Sequence, residues 1–172
     1  MGLPTSILFL DLDGVLNTHS HTNRMPVGCD PRLCLLPRLV APLAEWLMAR
    51  PNVGVVLSSD WRRPPNPGFA ATNAILRGMG LPRDMVGETP QHGWTQPAGW
   101  GTGVDPPRRG REIAEWLRDH TEVEHVVCLD DGDDFHPIQR HLVRTSPWHG
   151  LQPRHIRRLD GVLAGPLDRL KL

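Results

Sequence analysis

Tyrosine is absent from this 172-residue chain, and lysine occurs once, as Lys171 near the C-terminus. Any fixed positive charge inside the fold therefore falls to arginine, which stays protonated in proteins. Net charge is missing too, since 19 basic residues balance 19 acidic ones. No global field draws the chain to nucleic acid or to an anionic membrane. No apolar run is long enough to predict a bilayer span. The N-terminus runs straight into a strand pattern, without a basic region ahead of a separate apolar segment, so no secretory signal is expected. Cysteine is sparse: Cys29, Cys34 and Cys128 form an odd set without Cys-x-x-Cys spacing. That pattern argues against a disulfide frame or a thiolate zinc site and predicts reduced thiols of a cytoplasmic protein. Cys128 lies inside an apolar run and is expected in the core. No repeat and no linker divides the sequence, so residues 1–172 are expected to form a single domain with a sizeable core.

What is present centres on Ile7-Leu8-Phe9-Leu10-Asp11-Leu12-Asp13-Gly14-Val15-Leu16. Four apolar residues in succession predict a buried strand of a parallel sheet, and Gly14 supplies the turn that ends it. Asp11 and Asp13, two apart, point the same way if strand geometry persists. Like charges at the end of an apolar strand repel each other and resist desolvation. A cation, or a substrate group that uses them, offsets that cost. Ligands of open α/β sheets bind at the carboxyl ends of the strands, which is where these acids sit. A plain turn also uses Asp and Gly. A helix-loop-helix calcium loop is rejected, because it needs Gly at its sixth position and Glu at its twelfth, here Leu16 and Thr22.

Further along, Asn17 to Asp30 is a polar loop carrying His19 and His21, more simply a solvated loop than a zinc site. Asp30 and Pro31 open a helical pattern to Arg50, in which Pro37 and Pro42 predict a kink or two short helices. Val53 to Leu57 is a second buried strand, followed by Ser58-Ser59-Asp60-Trp61-Arg62, small hydroxyls at a strand end that could cradle an anion. Arg62 and Arg63 are expected at the exposed surface, with pairing to acids or to substrate as the alternative. Phe69 to Met79 predicts a helix. Leu81 to Val104 is rich in glycine and proline and carries Trp94 and Trp100, expected to pin the loop or, alternatively, to stack on a base or sugar. Val86 is assigned to a short strand within it. Asp105-Pro106-Pro107 opens the next helix, whose start holds Arg108, Arg109 and Arg111. Cations there oppose the helix dipole unless an anion sits close. His125 to Leu129 is a third buried strand, and it ends in Asp130-Asp131-Gly132-Asp133-Asp134, acids that favour a divalent cation. Leu142 to Thr145 is a last strand. A helix with Ile156, Leu159 and Leu163 on one face follows, and Arg154, Arg157 and Arg158 form its opposite, solvated face, with contact to a phosphate backbone as the lesser alternative.

Strands ending in Asp-x-Asp-Gly, in Ser and in Asp-Asp, with a cation before the last, resemble the haloacid dehalogenase (HAD) superfamily of phosphotransferases. Asp11-x-Asp13-Gly14-Val15-Leu16 resembles its first motif, Ser58-Ser59 the second, Arg109 or Arg108 the third, and Asp130-Asp131 with Asp134 the fourth. Arg109-Gly110-Arg111-Glu112-Ile113 with Trp116-Leu117, followed by Leu129-Asp130-Asp131, resembles the small HAD domains found alone or attached to RNA-repair proteins. Arginine replaces the commoner lysine of the third motif, which keeps the charge but makes a planar fork of donors.

The resemblance implies an α/β fold: a Rossmann-like three-layer sandwich around a mostly parallel sheet, with minimal or no cap domain. Loops at about 17–30 and 81–104 are left to act as lids. It implies Mg²⁺-dependent hydrolysis of a phosphomonoester, with Asp11 as the nucleophile that becomes an aspartyl-phosphate. Asp13 would serve as acid and then base. Arg109 and Ser59 would hold the phosphoryl oxygens, with Arg108 and Ser58 in reserve and Gly14 and Trp61 beside the substrate. The metal would sit on Asp11, the Asp13 backbone carbonyl and Asp130, with Asp131 or Asp134 as a further ligand. The substrate expected is a nucleotide or other small phosphomonoester. A nucleic-acid end is the alternative, and an idle HAD fold used as a binding module is the second alternative. No membrane and no obligate protein partner is expected.

Overall fold

The computed structural model describes residues 3–91 and 108–168. Five strands form one sheet: β1 (Ser6–Leu10), β2 (Val53–Leu57), β3 (Gly87–Glu88), β4 (His125–Asp130) and β5 (Leu142–Arg144). Their spatial order is β3-β2-β1-β4-β5, and every neighbouring pair is parallel. β1 is buried along its whole length, and so is β2, as their uninterrupted apolar runs require. The helices are α1 (His19–Thr22), α2 (Pro37–Met48), α3 (Phe69–Gly78), α4 (Arg108–Asp119) and α5 (Pro153–Leu163).

Alternation along the strands feeds two cores. Leu8, Leu10, Val55, Leu57, Val127 and Leu129 pack against α2, α3 and α5 on one face of the sheet. Ile7, Phe9, Val56, Val126 and Cys128 meet Ile113, Trp116 and Leu117 of α4 on the other. The result is a Rossmann-like three-layer α/β sandwich, as the resemblance implied. Among the described residues no helix is long and apolar enough to cross a membrane.

The proline-rich pattern from residue 31 splits as expected into a short 3-10 helix (Pro31–Cys34) and α2, with Pro42 inside α2. Trp46 is core, and its indole N–H reaches Asp160 Oδ1 of α5 at 3.1 Å. Cys128 is buried, whereas Cys29 and Cys34 are half-buried free thiols with Sγ atoms 3.6 Å apart. Two expectations shift. The polar loop after β1 folds into one helical turn, α1, capped by Thr18. The short strand forms at Gly87–Glu88, one residue beyond Val86, which stays exposed. Trp94, Trp100 and the cap proposed at Asp105-Pro106-Pro107 lie outside the described residues.

Candidate active site

Strand register builds the site. Leu10 is level with Leu57 on one side and with Leu129 on the other, so β1, β2 and β4 end together. The next residues are therefore neighbours: Asp11 N donates to Leu129 O at 3.0 Å, and Ser58 N donates to Leu10 O at 2.8 Å. Asp11, Ser58 and Asp130, up to 119 positions apart in the chain, thus meet at one carboxyl edge.

Carboxylate oxygens of Asp11, Asp130 and Asp131 lie within 4.8 Å of one another. Asp11 and Asp130 are buried, and one guanidinium faces both: Arg109 Nη2 stands 3.7 Å from Asp11 Oδ1 and its Nε 3.3 Å from Asp130 Oδ2. A single cation does not balance three acids. Burial first, then repulsion from Asp130, pushes the Asp11 carboxyl well above its ordinary range, against the pull of Arg109. Burial likewise pushes Asp130 up to about 6, with Arg109 opposing. Asp131 is raised by burial, with His19 opposing. Burial works against the charge of Arg109, but Asp11 and Asp130 more than compensate and hold it firmly protonated. Clustered hard oxygen donors with excess negative charge fit a divalent cation such as Mg²⁺. Gly14 makes room for this arrangement: its φ is +68°, and a Cβ there would lie 2.1 Å from Asp131 Oδ2.

Raised carboxyl pKa values have a consequence for stability. In metal-free protein the protonated forms of Asp11 and Asp130 are favoured by folding. For Asp130 that stabilisation is complete below about pH 4 and is lost as pH rises through about 6, and Asp11 acts in the same direction. Asp130→Asn should therefore match the parent in EDTA at pH 4 and exceed it at pH 7, by on the order of 2–3 kcal/mol. Chemical denaturation of both proteins across that range checks it. A difference that does not change with pH would show that the acids are relaxed. Buried His141 and His155, whose pKa values are lowered chiefly by burial, weaken the fold below about pH 6.5 in both proteins and so cancel.

The other candidates fall into place around this centre. Asp13 is held by Asn17 Nδ2 (2.6 Å) and by the Trp61 indole N–H, which reaches both its oxygens at 3.1 and 3.2 Å. Trp61 is buried and meets Asp13 directly. Ser59 caps the 3-10 helix Asp60–Arg62, and its side chain also bonds Asp11. Ser58 is buried, and its hydroxyl has no hydrogen-bond partner. Arg108 turns to Asp60 at 2.8 Å, whereas Arg109 pairs with Asp11 and Asp130.

Arg62 and Arg63 are not surface residues. Arg62 is fully buried against equally buried Glu112 at 2.5 Å, and Arg63 meets the other oxygen of Glu112, also at 2.5 Å. Arg109 stands 3.6 Å and Arg108 3.8 Å from Glu112 as well, so one acid meets four arginines. Asp134 is likewise outside the cluster of Asp11, Asp130 and Asp131. Its Oδ2 accepts from the backbone N–H groups of Arg108 (3.2 Å) and Arg109 (3.0 Å). It is the anion that the basic start of α4 requires. Asn17, Glu112 and Thr145 escaped the sequence reading. Glu112 carried a signal, three and four positions after the two arginines on a helix. Asn17 binds Gly14 N at 2.9 Å, and Thr145 Oγ1 donates to Gly14 O at 2.7 Å from 131 positions away, which no local pattern reveals.

Parallel strands that gather acids, hydroxyls and one guanidinium at their carboxyl edge define an α/β domain whose acidic centre can hold a metal. The family model described as the HAD domain in Swiss Army Knife RNA repair proteins matches residues 7–156, and the chain belongs to that family. Among curated proteins none matches it.

Proposed function

We propose that this chain is a Mg²⁺-dependent phosphomonoester hydrolase that works through an aspartyl-phosphate on Asp11. The observation that carries the reading is the convergence of Asp11, Asp130 and Asp131 against the single guanidinium of Arg109. Asp11, Asp130 and Asp131 would hold the metal, with the Asp13 backbone carbonyl as a further oxygen. When bound, Mg²⁺ neutralises the acids and the phosphate that approaches them.

The residues divide the remaining work. Asp11 attacks phosphorus, forming a carboxylate–phosphorus bond as the ester oxygen departs. Asp13, fixed by Asn17 and Trp61, gives that oxygen its proton and then takes one from the water that releases phosphate. Arg109 supplies fixed positive charge to the phosphoryl oxygens. Ser58, buried with an uncommitted hydroxyl, suits the phosphoryl donor role better than Ser59, which is engaged with Asp11 and Trp61. We therefore give Ser59 the orientation of Asp11 and Trp61 that of Asp13.

The substrate we propose is a nucleotide or other small phosphomonoester, met in a reducing, cytoplasmic setting. The family description favours a second reading, in which the phosphate sits on a nucleic-acid end. Comparing kcat/KM on mononucleotides and on terminally phosphorylated oligonucleotides, with Mg²⁺ and with EDTA, tests both. Activity on either class that EDTA abolishes supports the hydrolase, and a preference of tenfold or more for one class selects the substrate. No release of phosphate from either overturns the hydrolase.

A further inference from the structure

A groove of about 570 Å³ runs between α2 and α5, lined by Arg38, His149, Arg154 and Arg157 over a floor that includes Pro42 and Leu151. We propose that this groove binds the sugar–phosphate backbone of a single-stranded nucleic acid, and that the exposed indole of Trp148, the residue before groove-lining His149, takes one base. The inference rests on the hydrolase reading only for what happens to the strand's end.

Charge is the first observation. Arg38, Arg154 and Arg157 are all exposed, and among the described residues none of them forms an ion pair. Arg154 and Arg157 lie on the first turns of α5, where cations oppose the helix dipole and each other. Buried His155 beneath them feels this: burial, and then Arg154 and Arg158, lower its pKa. An anion in the groove relieves all of these repulsions at once. The nearest carboxylate on α5, Asp160, is committed to Arg50 and Trp46.

Trp148 is the second, independent observation. Its side chain is 62% exposed, yet its backbone is firmly anchored. Ser146 O accepts from His149 N (3.0 Å) and Gly150 N (2.8 Å), and Leu151 N donates to Val15 O at 2.8 Å. Gly150 has φ +64° and packs so tightly that a Cβ would lie 2.9 Å from Val15 O. The turn is thus fastened to the segment that carries Asp13 and Gly14. On its other side Pro147 O accepts from His19 N at 2.8 Å, and the His19 ring stands edge-on to Trp148, with centroids 5.5 Å apart. His19 in turn acts on the Asp131 carboxylate. The chain thus runs from groove-lining His149 to Trp148, whose ring meets His19, whose charge acts on the acidic centre. Spaced cations beside a rigid aromatic face match alternating phosphates and bases. An acidic peptide would satisfy the cations but would offer no planar face to Trp148.

The test uses a fluorescein-labelled, unphosphorylated single-stranded 12-mer, as RNA and as DNA, in EDTA, followed by anisotropy across a salt series. These conditions take the acidic centre out of the measurement. The parent should bind, and Arg154→Glu/Arg157→Glu should weaken binding at least tenfold and lower the log–log salt slope by about 1.4. Trp148→Ala should weaken it roughly 5- to 100-fold. Arg77→Glu, a single charge reversal on an exposed residue of α3 matching that of Arg38→Glu, should stay within twofold. If the double variant fails a thermal melt, Arg38→Glu on the opposite wall replaces it with the same expected direction. A parent that does not bind, or an Arg77→Glu loss equal to that of the groove variants, overturns the proposal. Hydrolysis of p-nitrophenyl phosphate by the parent, measured separately, reports on the hydrolase reading whatever the groove does.

Discussion

Replacing Asp11 by Asn is expected to lower Mg²⁺-dependent phosphate release from p-nitrophenyl phosphate by about 10³-fold or more, and at the same time to raise the melting temperature of the metal-free protein at pH 7. On the proposed mechanism, Asn keeps the shape of the side chain but cannot carry the covalent phosphate, and it removes one of the proposed anionic metal ligands. The activity loss follows from both. The gain in stability follows from electrostatics. Asp11 is buried, next to Asp130, and its carboxyl pKa is raised well above the ordinary range, so its ionised form is held at a cost at neutral pH. A neutral amide removes that cost. The two changes have opposite signs, which a misfolded variant cannot produce. A steady-state assay and a melt on the same sample check both, and a variant that keeps a tenth of the parent activity would remove Asp11 from the role of nucleophile.

Glu112→Ala is expected to cost about 3–5 kcal/mol of folding stability, the range for stripping one partner from a buried ion pair. For a domain of this size that lowers the melting temperature by on the order of 10 °C. Arg62 is buried without exposure and meets Glu112 at 2.5 Å, and Arg63 meets it at the same distance. Burial already lowers the pKa of Arg62, and Glu112 is the main opposing influence. Without the acid, buried guanidinium charge is left uncompensated, and Arg109 loses one of the groups that fix its height above Asp11 and Asp130. Urea unfolding measures the effect. A loss below 1 kcal/mol would mean that the arginines find water or other acceptors when Glu112 is gone.

These two residues illustrate how unevenly the sequence discloses the site. Asp11 was legible because its reason is local: a charge at the end of an apolar strand, two residues from another and followed by glycine. Glu112 was not singled out, because an acid on an amphipathic helix usually faces solvent. Its partner Arg62 lies 50 positions away and looks like a surface residue for the same reason. The choice between Arg108 and Arg109 was open in the sequence, since both lie at the start of α4. The helix decides it by geometry: neighbouring side chains diverge by about 100°, so one reaches Asp60 and the other reaches Asp11 and Asp130. Ser58 and Ser59 divide similarly, because successive residues at a strand end point to opposite sides. Asp134 shares its neighbours' composition but not their position, and the helix N-terminus it caps is 25 residues upstream.

By itself the sequence determined the layered α/β architecture, the three long buried strands and the identity of the acids at their ends. Each of these follows from short-range periodicity and from the cost of placing charge beside apolar residues. Only the tertiary structure decided which acids converge, which arginine faces them, which serine keeps a free hydroxyl, and that arginines of α2 and α5 line one groove. Those facts depend on parallel register and on contacts between residues 21 to 131 positions apart, and distances of that kind are set when strands align, not by any neighbouring residue.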